Sequence, residues 1–160
     1  MKSHNDTYTP NQPLFRAAAT LHIARLNPQN QVEVYMGRRS VAPFLNMWSP
    51  PGGNHELEHQ NSLVQTAVTE TIEELGEDFS NHEIHWLRDC KVETQKDDQF
   101  RTYGVRVFVV NALNPCLQDK TPEDFSSNGL VEFDQAQWQL ARQWIDSSAP
   151  IPSKTLEALQ

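Results

Sequence analysis

The chain has few cysteines and no long apolar run. Only two of its 160 residues are cysteine, Cys90 and Cys116, and they lack the C-x-x-C spacing of a zinc site. We therefore expect two thiols in a reducing compartment, with a single bridge between them as the alternative. No stretch approaches the roughly 18 apolar residues that cross a bilayer, and the first six residues lack the apolar segment of a secretory signal. The expected location is the cytoplasm.

Basic residues are also scarce. Thirteen Lys and Arg stand against twenty-one Asp and Glu, which gives a formal net charge of -8. This balance argues against general nucleic-acid binding and against docking on an anionic membrane, because both partners need a basic surface. It is compatible with a small phosphorylated substrate, because a divalent cation can lie between the two sets of negative charge.

The excess negative charge is confined to one segment. Residues 40–87 contain eight acidic residues and no Lys or Arg, whereas the remaining thirteen acidic residues are matched by thirteen basic ones. Acidity spread over a whole chain favours solubility. Acidity in a single segment indicates a cation site.

The apolar pattern predicts a polar arm at residues 1–13 and one domain at residues 14–160. The order of the strands and helices is not a strict βαβα alternation, which favours a mixed sheet flanked by helices. The predicted elements are strands at 14–26, 32–37, 86–92, 101–113 and 130–133, and helices at 62–75, 134–145 and 153–159. We expect loops at 40–54 and 114–128.

The predicted helix at 62–75 is the source of the candidate chemistry. Its apolar residues, Ile72 among them, fall on one side of a helical wheel, and Glu70, Glu73 and Glu74 form a neighbouring arc. Like charges three and four residues apart destabilise a helix, and no Lys or Arg of the helix offsets them. The arc is either a solvated acidic face or a site for a hard cation such as Mg²⁺.

The surroundings of this helix resemble a known family. Pro51-Gly52-Gly53 lies upstream, and the helix ends in the stretch Glu70-Thr71-Ile72-Glu73-Glu74-Leu75-Gly76. Together they are similar to the Nudix hydrolases, whose box is written G-x5-E-x7-R-E-U-x-E-E-x-G-U, with U apolar. The resemblance covers about residues 14–146 and implies an α/β fold: a Nudix-like α/β/α sandwich with a mixed sheet flanked by helices.

The chain departs from the family pattern at several box positions. Gly53 and Glu70 are two residues too far apart, and Thr69 stands where the pattern has arginine. The first box Glu is replaced by His59 or Asn61, depending on the direction of counting. In the family the box arginine pairs with the box carboxylates, so its loss bears on the metal site more than on the fold.

The resemblance implies a Mg²⁺-dependent pyrophosphohydrolase that cleaves a nucleoside diphosphate linked to another group, with Mn²⁺ as a possible substitute. Glu70, Glu73 and Glu74 are the implied metal ligands. The implied base is Glu73 or Glu74 in the helix, or Glu123 in the late loop, where Asp124 is its neighbour and loop solvation is the alternative. The implied partner is a small phosphorylated nucleotide, and a homodimer is common in similar proteins.

Further residues are candidates for substrate binding. Arg38 and Arg39 could bind phosphate oxygens, although they could also be a surface pair. Phe44 and Trp48 could stack on a base, or they could pack the loop onto the core. The remaining candidates are Gly53, the first box glycine, and Glu56, which fits the Pro-Gly-Gly-x-x-Glu form common in the family.

Two other functional classes fit parts of the sequence. His55-Glu56-Leu57-Glu58-His59 spells H-E-x-x-H, the zinc-peptidase signature, in which two His on one helix face bind Zn²⁺. The glycines and prolines just before it are a poor context for the stable helix that this site needs. Because Thr69 replaces the box arginine, a catalytically impaired Nudix-like module that binds a nucleotide or regulates a partner is the second alternative.

Overall fold

The computed structural model describes residues 16–41, 44–56, 62–96, 99–112 and 117–146. The strands are β1 (Arg16–Leu26), β2 (Val32–Arg39), β3 (Trp48–Ser49), β4 (Gly52–Asn54), β5 (Ile84–Lys96), β6 (Gln99–Asn111) and β7 (Phe133–Leu140). The helices are α1 (Leu63–Leu75), α2 (Pro122–Ser127) and α3 (Ala141–Asp146). None of the helices within these ranges has the length and hydropathy of a membrane-spanning helix.

The seven strands form one mixed sheet in which β1 is central. β1 pairs in parallel with β6 along nine residue pairs. On its other edge it pairs antiparallel with β4 through Ala18–Thr20 and with β2 through Ile23–Leu26. β2 also pairs with β3 and β7, and β5 pairs with β6. Because β4 and β2 share one edge of β1, the two glycines of β4 lie beside the first half of β1, beneath α1.

Helices cover both faces of the sheet, which confirms the predicted fold class. Leu21 and Ile23 of β1 and Tyr35 of β2 pack with α1 in the main core. On the opposite face, Met36 of β2 packs with the fully buried Trp144 of α3. Strand side chains alternate between faces, so odd-numbered residues of β1 and β2 face α1 and even-numbered ones face away.

Helix α1 begins and ends where the sequence predicts. The Ser62 side chain accepts a hydrogen bond from the Gln65 amide, and Gly76 adopts a left-handed conformation that closes the last turn. Its burial differs from the helical-wheel prediction at two positions. Glu74 is 1% exposed, and Ile72, predicted on the packed face, is 41% exposed. The helix is therefore rotated so that one of its carboxylates is inside.

The predicted helix at residues 134–145 is wrong for its first half. Residues 133–140 form β7, which pairs with β2 through seven residue pairs, and only residues 141–146 are helical. The apolar residues of this stretch fit a helical period as well as an alternating one. Pairing with the edge of β2 decides the outcome, because it satisfies a row of backbone groups that a helix would leave on that strand.

The predicted loops contain short elements. β3 and β4 lie within residues 40–54, and α2 lies within residues 114–128. α2 begins with a capping box, in which Thr121 and Asp124 exchange hydrogen bonds, and Pro122 occupies the first turn. The predicted arm at 1–13 and the helix at 153–159 lie outside the described residues, as does Cys116. Cys90 is a buried thiol.

Candidate functional site

Three carboxylates from two parts of the chain meet beside β4. Glu70 and Glu74 lie on the last two turns of α1, and Glu132 lies one residue before β7. One oxygen atom from each lies within 4.8 Å of the others. We call Glu70, Glu74 and Glu132 the site carboxylates.

Glu74 is the most deeply buried of the site carboxylates. Its Oε1 accepts a hydrogen bond from the amide of Gly52 at 3.2 Å. Its Oε2 is buried and has no hydrogen-bond partner among the residues that the structure describes. Burial raises the pKa of Glu74 well above its usual value, and the charge of Glu132 adds to this effect. The Gly52 amide and the charge of Arg39 act in the opposite direction.

Glu70 packs directly against the backbone of β4. A Cβ atom built on Gly53 would lie 2.5 Å from the Glu70 carboxyl carbon, so only glycine leaves room for this carboxylate. Burial raises the pKa of Glu70 to about 8. The negative charges of Glu73, Glu132 and Glu56 contribute to the same shift.

The site carboxylates fit a hard divalent cation. All three donors are oxygens, which Mg²⁺ and Mn²⁺ prefer. A buried carboxylate oxygen without a partner carries a large desolvation penalty. Within the described part of the chain, Glu74 Oε2 is such an atom. A cation held by these carboxylates would offset their mutual repulsion, which adds to burial in raising the pKa values of Glu70 and Glu74.

The other predicted carboxylates occupy different positions. Glu73 is exposed on α1, and its charge and side chain both act on Glu70. Glu56 is also exposed and lies close enough for its charge to act on Glu70. Glu123 is exposed in the first turn of α2 and is not among the charges that shift Glu70 or Glu74. Its role as a base therefore stays a prediction.

The two predicted arginines lie on opposite faces of β2. Arg38 forms a two-pronged ion pair with Asp134 of β7, with nitrogen–oxygen distances of 2.9 and 2.8 Å. This pair occupies the guanidinium of Arg38 in a contact within the sheet. Arg39 lies on the α1 side, where its charge lowers the pKa of Glu74. Of the two, Arg39 is the one that the structure brings to the site carboxylates.

The two predicted aromatic residues lie in apolar clusters. Trp48 is buried in β3, with its ring 5.3 Å from that of Trp144. This position matches the packing alternative for Trp48. Phe44 has a positive φ of 64° and packs, partly exposed, on the cluster that contains Val105 and Val107. Both valines are odd-numbered residues of β6. Their cluster is separate from the main core beneath α1.

The second half of the H-E-x-x-H stretch lies outside the described residues, because these begin again at Ser62. Within the described part, His55 Nδ1 lies 2.7 Å from the hydroxyl of Thr66 on α1. The His55 amide donates to the carbonyl of Ala17, which extends the contact between β4 and β1. His55 thus joins the β4 segment to both the sheet and the helix.

Glu132 is the site residue that sequence reasoning missed as a ligand. The residue lies within the region of family resemblance, about residues 14–146, but outside the box. Its position depends on tertiary contacts: the Ser40 amide donates to the Glu132 carbonyl at 2.8 Å, and the Ser40 hydroxyl donates to Val131. No local spacing relates residue 132 to α1.

Comparisons with known proteins agree with this architecture. The NUDIX domain model matches residues 15–153. The NUDIX domain of Shewanella oneidensis NrtR complexed with ADP ribose superposes with a TM-score of 0.69 at 16% identity, covering 95% of this chain and 89% of that one. A NUDIX hydrolase from Alicyclobacillus acidocaldarius gives a TM-score of 0.70 at 16% identity, with coverages of 92% and 90%.

A third similar structure is the binary complex of a C. elegans Ap4A hydrolase. It has a TM-score of 0.62 at 18% identity and covers 90% of this chain and 92% of that one. No curated protein sequence matches the chain significantly. At these identities the solved structures support the fold.

Proposed function

The chain belongs to the NUDIX domain family, and from this premise we propose that it is a divalent-cation-dependent pyrophosphohydrolase that cleaves a nucleoside diphosphate linked to another group. One observation carries the proposal: Glu70, Glu74 and Glu132 place oxygen atoms within 4.8 Å of one another. Among the described residues Glu74 Oε2 has no hydrogen-bond partner, and this supports the proposal, because a purely structural carboxylate at that depth would be hydrogen-bonded.

Mg²⁺ or Mn²⁺ is the proposed cofactor, and the site carboxylates are its proposed ligands. When bound, the ion would act as a Lewis acid toward phosphate oxygens and offset their charge. Two glycines of β4 support these ligands. The Gly52 amide donates a hydrogen bond to Glu74, and Gly53, which has no side chain, leaves the space that the Glu70 carboxylate occupies.

Glu73 is the proposed general base. Glu73 is exposed, so water reaches its carboxylate. Because Glu73 neighbours Glu70, a water molecule that gives its proton to Glu73 would lie beside the site. Glu74 is too buried to exchange protons freely with solvent and is assigned to cation binding. Glu123 is retained as the alternative base, and Glu56 as a polar contact at the edge of the site.

The proposed substrate class is a nucleotide with a phosphoanhydride bond to a second group. Two of the similar structures support this class, since one holds ADP ribose and another is an Ap4A hydrolase. ADP ribose and Ap4A both contain an adenosine monophosphate unit that is joined to the rest of the molecule by a phosphoanhydride bond. A cytoplasmic location and a homodimer stay predictions from the sequence.

The proposal is tested with a substrate panel. ADP-ribose, dinucleoside polyphosphates, coenzyme A, NADH and nucleoside triphosphates are incubated with the protein and Mg²⁺ or Mn²⁺, and release of mononucleotide or phosphate is measured. We expect turnover of at least one diphosphate, loss of it in Glu73→Gln and Glu74→Gln, and normal turnover in Glu83→Gln. Glu83 is an exposed acidic residue paired with His85, which makes it a matched control.

Absence of turnover over the whole panel, together with no binding of Mn²⁺ in a titration, would refute the proposal. A Glu123→Gln variant separates the two bases: loss there with normal Glu73→Gln turnover would assign the base to α2. Casein cleavage that disappears in His55→Ala would point instead to the zinc-peptidase reading.

A second candidate is a nucleotide-binding module without turnover. It is favoured by Thr69, whose hydroxyl accepts a hydrogen bond from Gln65 at 3.1 Å along the helix and so bonds within α1. Calorimetric binding of ADP-ribose without release of product would support this module over the hydrolase.

A further inference from the structure

The carboxylate face of α1 lacks a cation of its own. Helix α1 contains no Lys or Arg, and the sequence has none between Ser40 and Leu87. Thr69, which stands where the family pattern has arginine, is hydrogen-bonded to Gln65. Any positive side chain that balances Glu70 and Glu74 must therefore come from another element.

The last residue of β2 faces this cluster. Tyr35 lies in the main core under α1, and Gly37 lies against the ring of Phe133 in the same core. Met36 belongs to the cluster on the opposite face, and Arg38 pairs with Asp134. The β2–β7 register shifts between Arg38 and Arg39, but the extra residue, Asp134, lies on β7, so β2 keeps its alternation. Arg39 is therefore on the α1 face, and the effect of its charge on Glu74 agrees with this position.

The backbone of Arg39 is held between two neighbouring segments. Its amide donates to the Met47 carbonyl at 2.9 Å, and its carbonyl accepts from the Asn46 amide at 2.8 Å. It also pairs with Phe133 of β7, directly after Glu132. The next residue, Ser40, donates its amide to the Glu132 carbonyl. Arg39 is therefore fixed beside the segment that carries one site carboxylate and faces the helix that carries the other two.

We propose that Arg39 is the positioning residue of the site carboxylates: from β2 it supplies the positive charge that α1 lacks, and it keeps Glu74 and Glu132 oriented for a divalent cation. The inference rests on the proposed function for the identity of the cation. It differs from the role predicted by sequence, in which Arg39 binds substrate phosphate directly.

The two roles of Arg39 have different experimental signatures. A positioning residue affects the protein before any substrate is present, whereas a phosphate ligand acts only on the bound substrate. Loss of an outer partner of metal ligands typically weakens metal affinity or activity by about 10–100-fold. Loss of a substrate phosphate contact raises KM and leaves metal affinity unchanged.

The experiment compares Arg39→Gln and Arg39→Lys with the wild-type protein and with Arg25→Met. Arg25 is the matched control, because it forms an ion pair with Glu33 at 2.8 Å elsewhere on the sheet. Mn²⁺ affinity is measured by titration without substrate, thermal melting is measured in EDTA, and kcat and KM are measured on the best substrate of the panel.

For Arg39→Gln we expect Mn²⁺ binding about 10–100-fold weaker, a lower melting temperature in EDTA, and a fall in kcat that exceeds the change in KM. Arg39→Lys should recover part of each loss, and Arg25→Met should keep wild-type Mn²⁺ affinity. Adding Thr69→Arg to Arg39→Gln should recover Mn²⁺ affinity by returning a cation to α1. If Arg39→Gln does not fold, the Lys variant decides the same comparison.

Unchanged or tighter Mn²⁺ binding in Arg39→Gln would overturn the proposal, and a raised KM alone would return Arg39 to the phosphate role. Failure of the proposed function has a different signature, because the wild-type protein itself would then bind no Mn²⁺. In that case the melting experiment in EDTA still decides the inference: an unchanged melting temperature of Arg39→Gln contradicts it.

Discussion

The chain holds two kinds of carboxylate, and their pKa values move in opposite directions. The pKa of Glu70 rises to about 8, and that of the buried Glu74 rises as well. The pKa values of Asp78 and Asp124, which we call the capped carboxylates, fall because each accepts hydrogen bonds from a neighbouring backbone amide and hydroxyl.

The difference is one of donors and burial. Each capped carboxylate is exposed and has local hydrogen-bond donors in a turn or a helix start. The site carboxylates lie close to one another, and the amide of Gly52 is the backbone donor that the structure brings to Glu74. Local hydrogen bonds stabilise the ionised form of the capped carboxylates without any ligand, whereas the site carboxylates need a cation to be stable as anions.

The largest effect is expected when the charge of one group is removed. In Glu74→Gln, turnover should be lost almost completely, because the variant lacks a proposed ligand of the catalytic cation. In EDTA the same variant should melt higher, by about 2–4 °C for each 1 kcal/mol of relieved repulsion. Asp78→Ala should do the reverse, melting lower with normal turnover. Equal shifts of the same sign in both variants would break the distinction.

The glycines of β4 test the packing that creates the site. A Cβ on Gly52 would lie 2.5 Å from the Ala19 carbonyl oxygen, so Gly52→Ala must distort the pairing of β4 with β1. Overpacking of this kind costs about 1–3 kcal/mol. A Cβ on Gly53 meets only the end of a flexible side chain, so Gly53→Ala should displace Glu70 and weaken Mn²⁺ binding. Its free energy of unfolding should change less than that of Gly52→Ala.

Chemical denaturation gives the stability of both glycine variants, and Mn²⁺ titration gives their affinity. A Gly53→Ala protein with wild-type Mn²⁺ affinity would contradict the place of Glu70 in the site.

The pH dependence of stability should separate the two groups. Glu70 has a folded pKa near 8 and an unfolded pKa near 4.5, so the folded protein holds a proton that the unfolded chain releases. Without metal, stability should therefore fall as pH rises from about 4.5 to about 8. The capped carboxylates have lowered pKa values, so their contribution is present at neutral pH and is lost as pH falls below about 4.

Urea denaturation in EDTA at a series of pH values checks this profile. With saturating Mn²⁺ the slope above pH 5 should reverse, because cation binding requires the ionised form. A metal-free stability that rises between pH 5 and pH 8 would contradict the shift assigned to Glu70.

The smallest effect is expected at Lys120, whose charge acts on the capped carboxylate Asp124. Its ammonium donates to the Leu75 carbonyl at the end of α1 at 2.7 Å and lies 3.6 Å from Glu77. Lys120→Met should cost about 1 kcal/mol, because a cation at a helix C-terminus is stabilising. Mn²⁺ affinity should stay at the wild-type value. Urea denaturation and titration measure both, and a large loss of affinity would place Lys120 in the site.

Local signals predicted the elements that have local causes. The start and end of α1 depend on Ser62 and Gly76, and the hairpin of β1 and β2 depends on a turn between two apolar stretches, so both were predictable from sequence. β7 was not, because its conformation depends on pairing with β2 about 100 residues away in the chain. The capping box of α2 is encoded locally by Thr121 and Asp124, although the prolines at 115 and 122 favour a loop prediction there.

The same difference between local and tertiary causes applies to the candidate site. The proximity of Glu70 and Glu74 is predictable, because they share one helix at a spacing of four residues. The burial of Glu74 was not found, since a helical wheel gives relative directions but no orientation toward the sheet. Glu132 and the position of Arg39 depend on contacts between β2 and β7, which no spacing within the sequence encodes.

The central position of β1 also bears on how the protein folds. The hairpins β1–β2 and β5–β6 join neighbouring segments, whereas the parallel pair β1–β6 joins residues as distant as Ala18 and Val105. Closing that long loop is entropically slow, so local hairpins should form before the parallel pair. Helix α1 packs mainly on β1 and β4, whereas Glu132 reaches it only after β7 has paired with β2, about 100 residues away in the chain. The carboxylates therefore come together late in folding, after most of the remaining structure exists to restrain their repulsion.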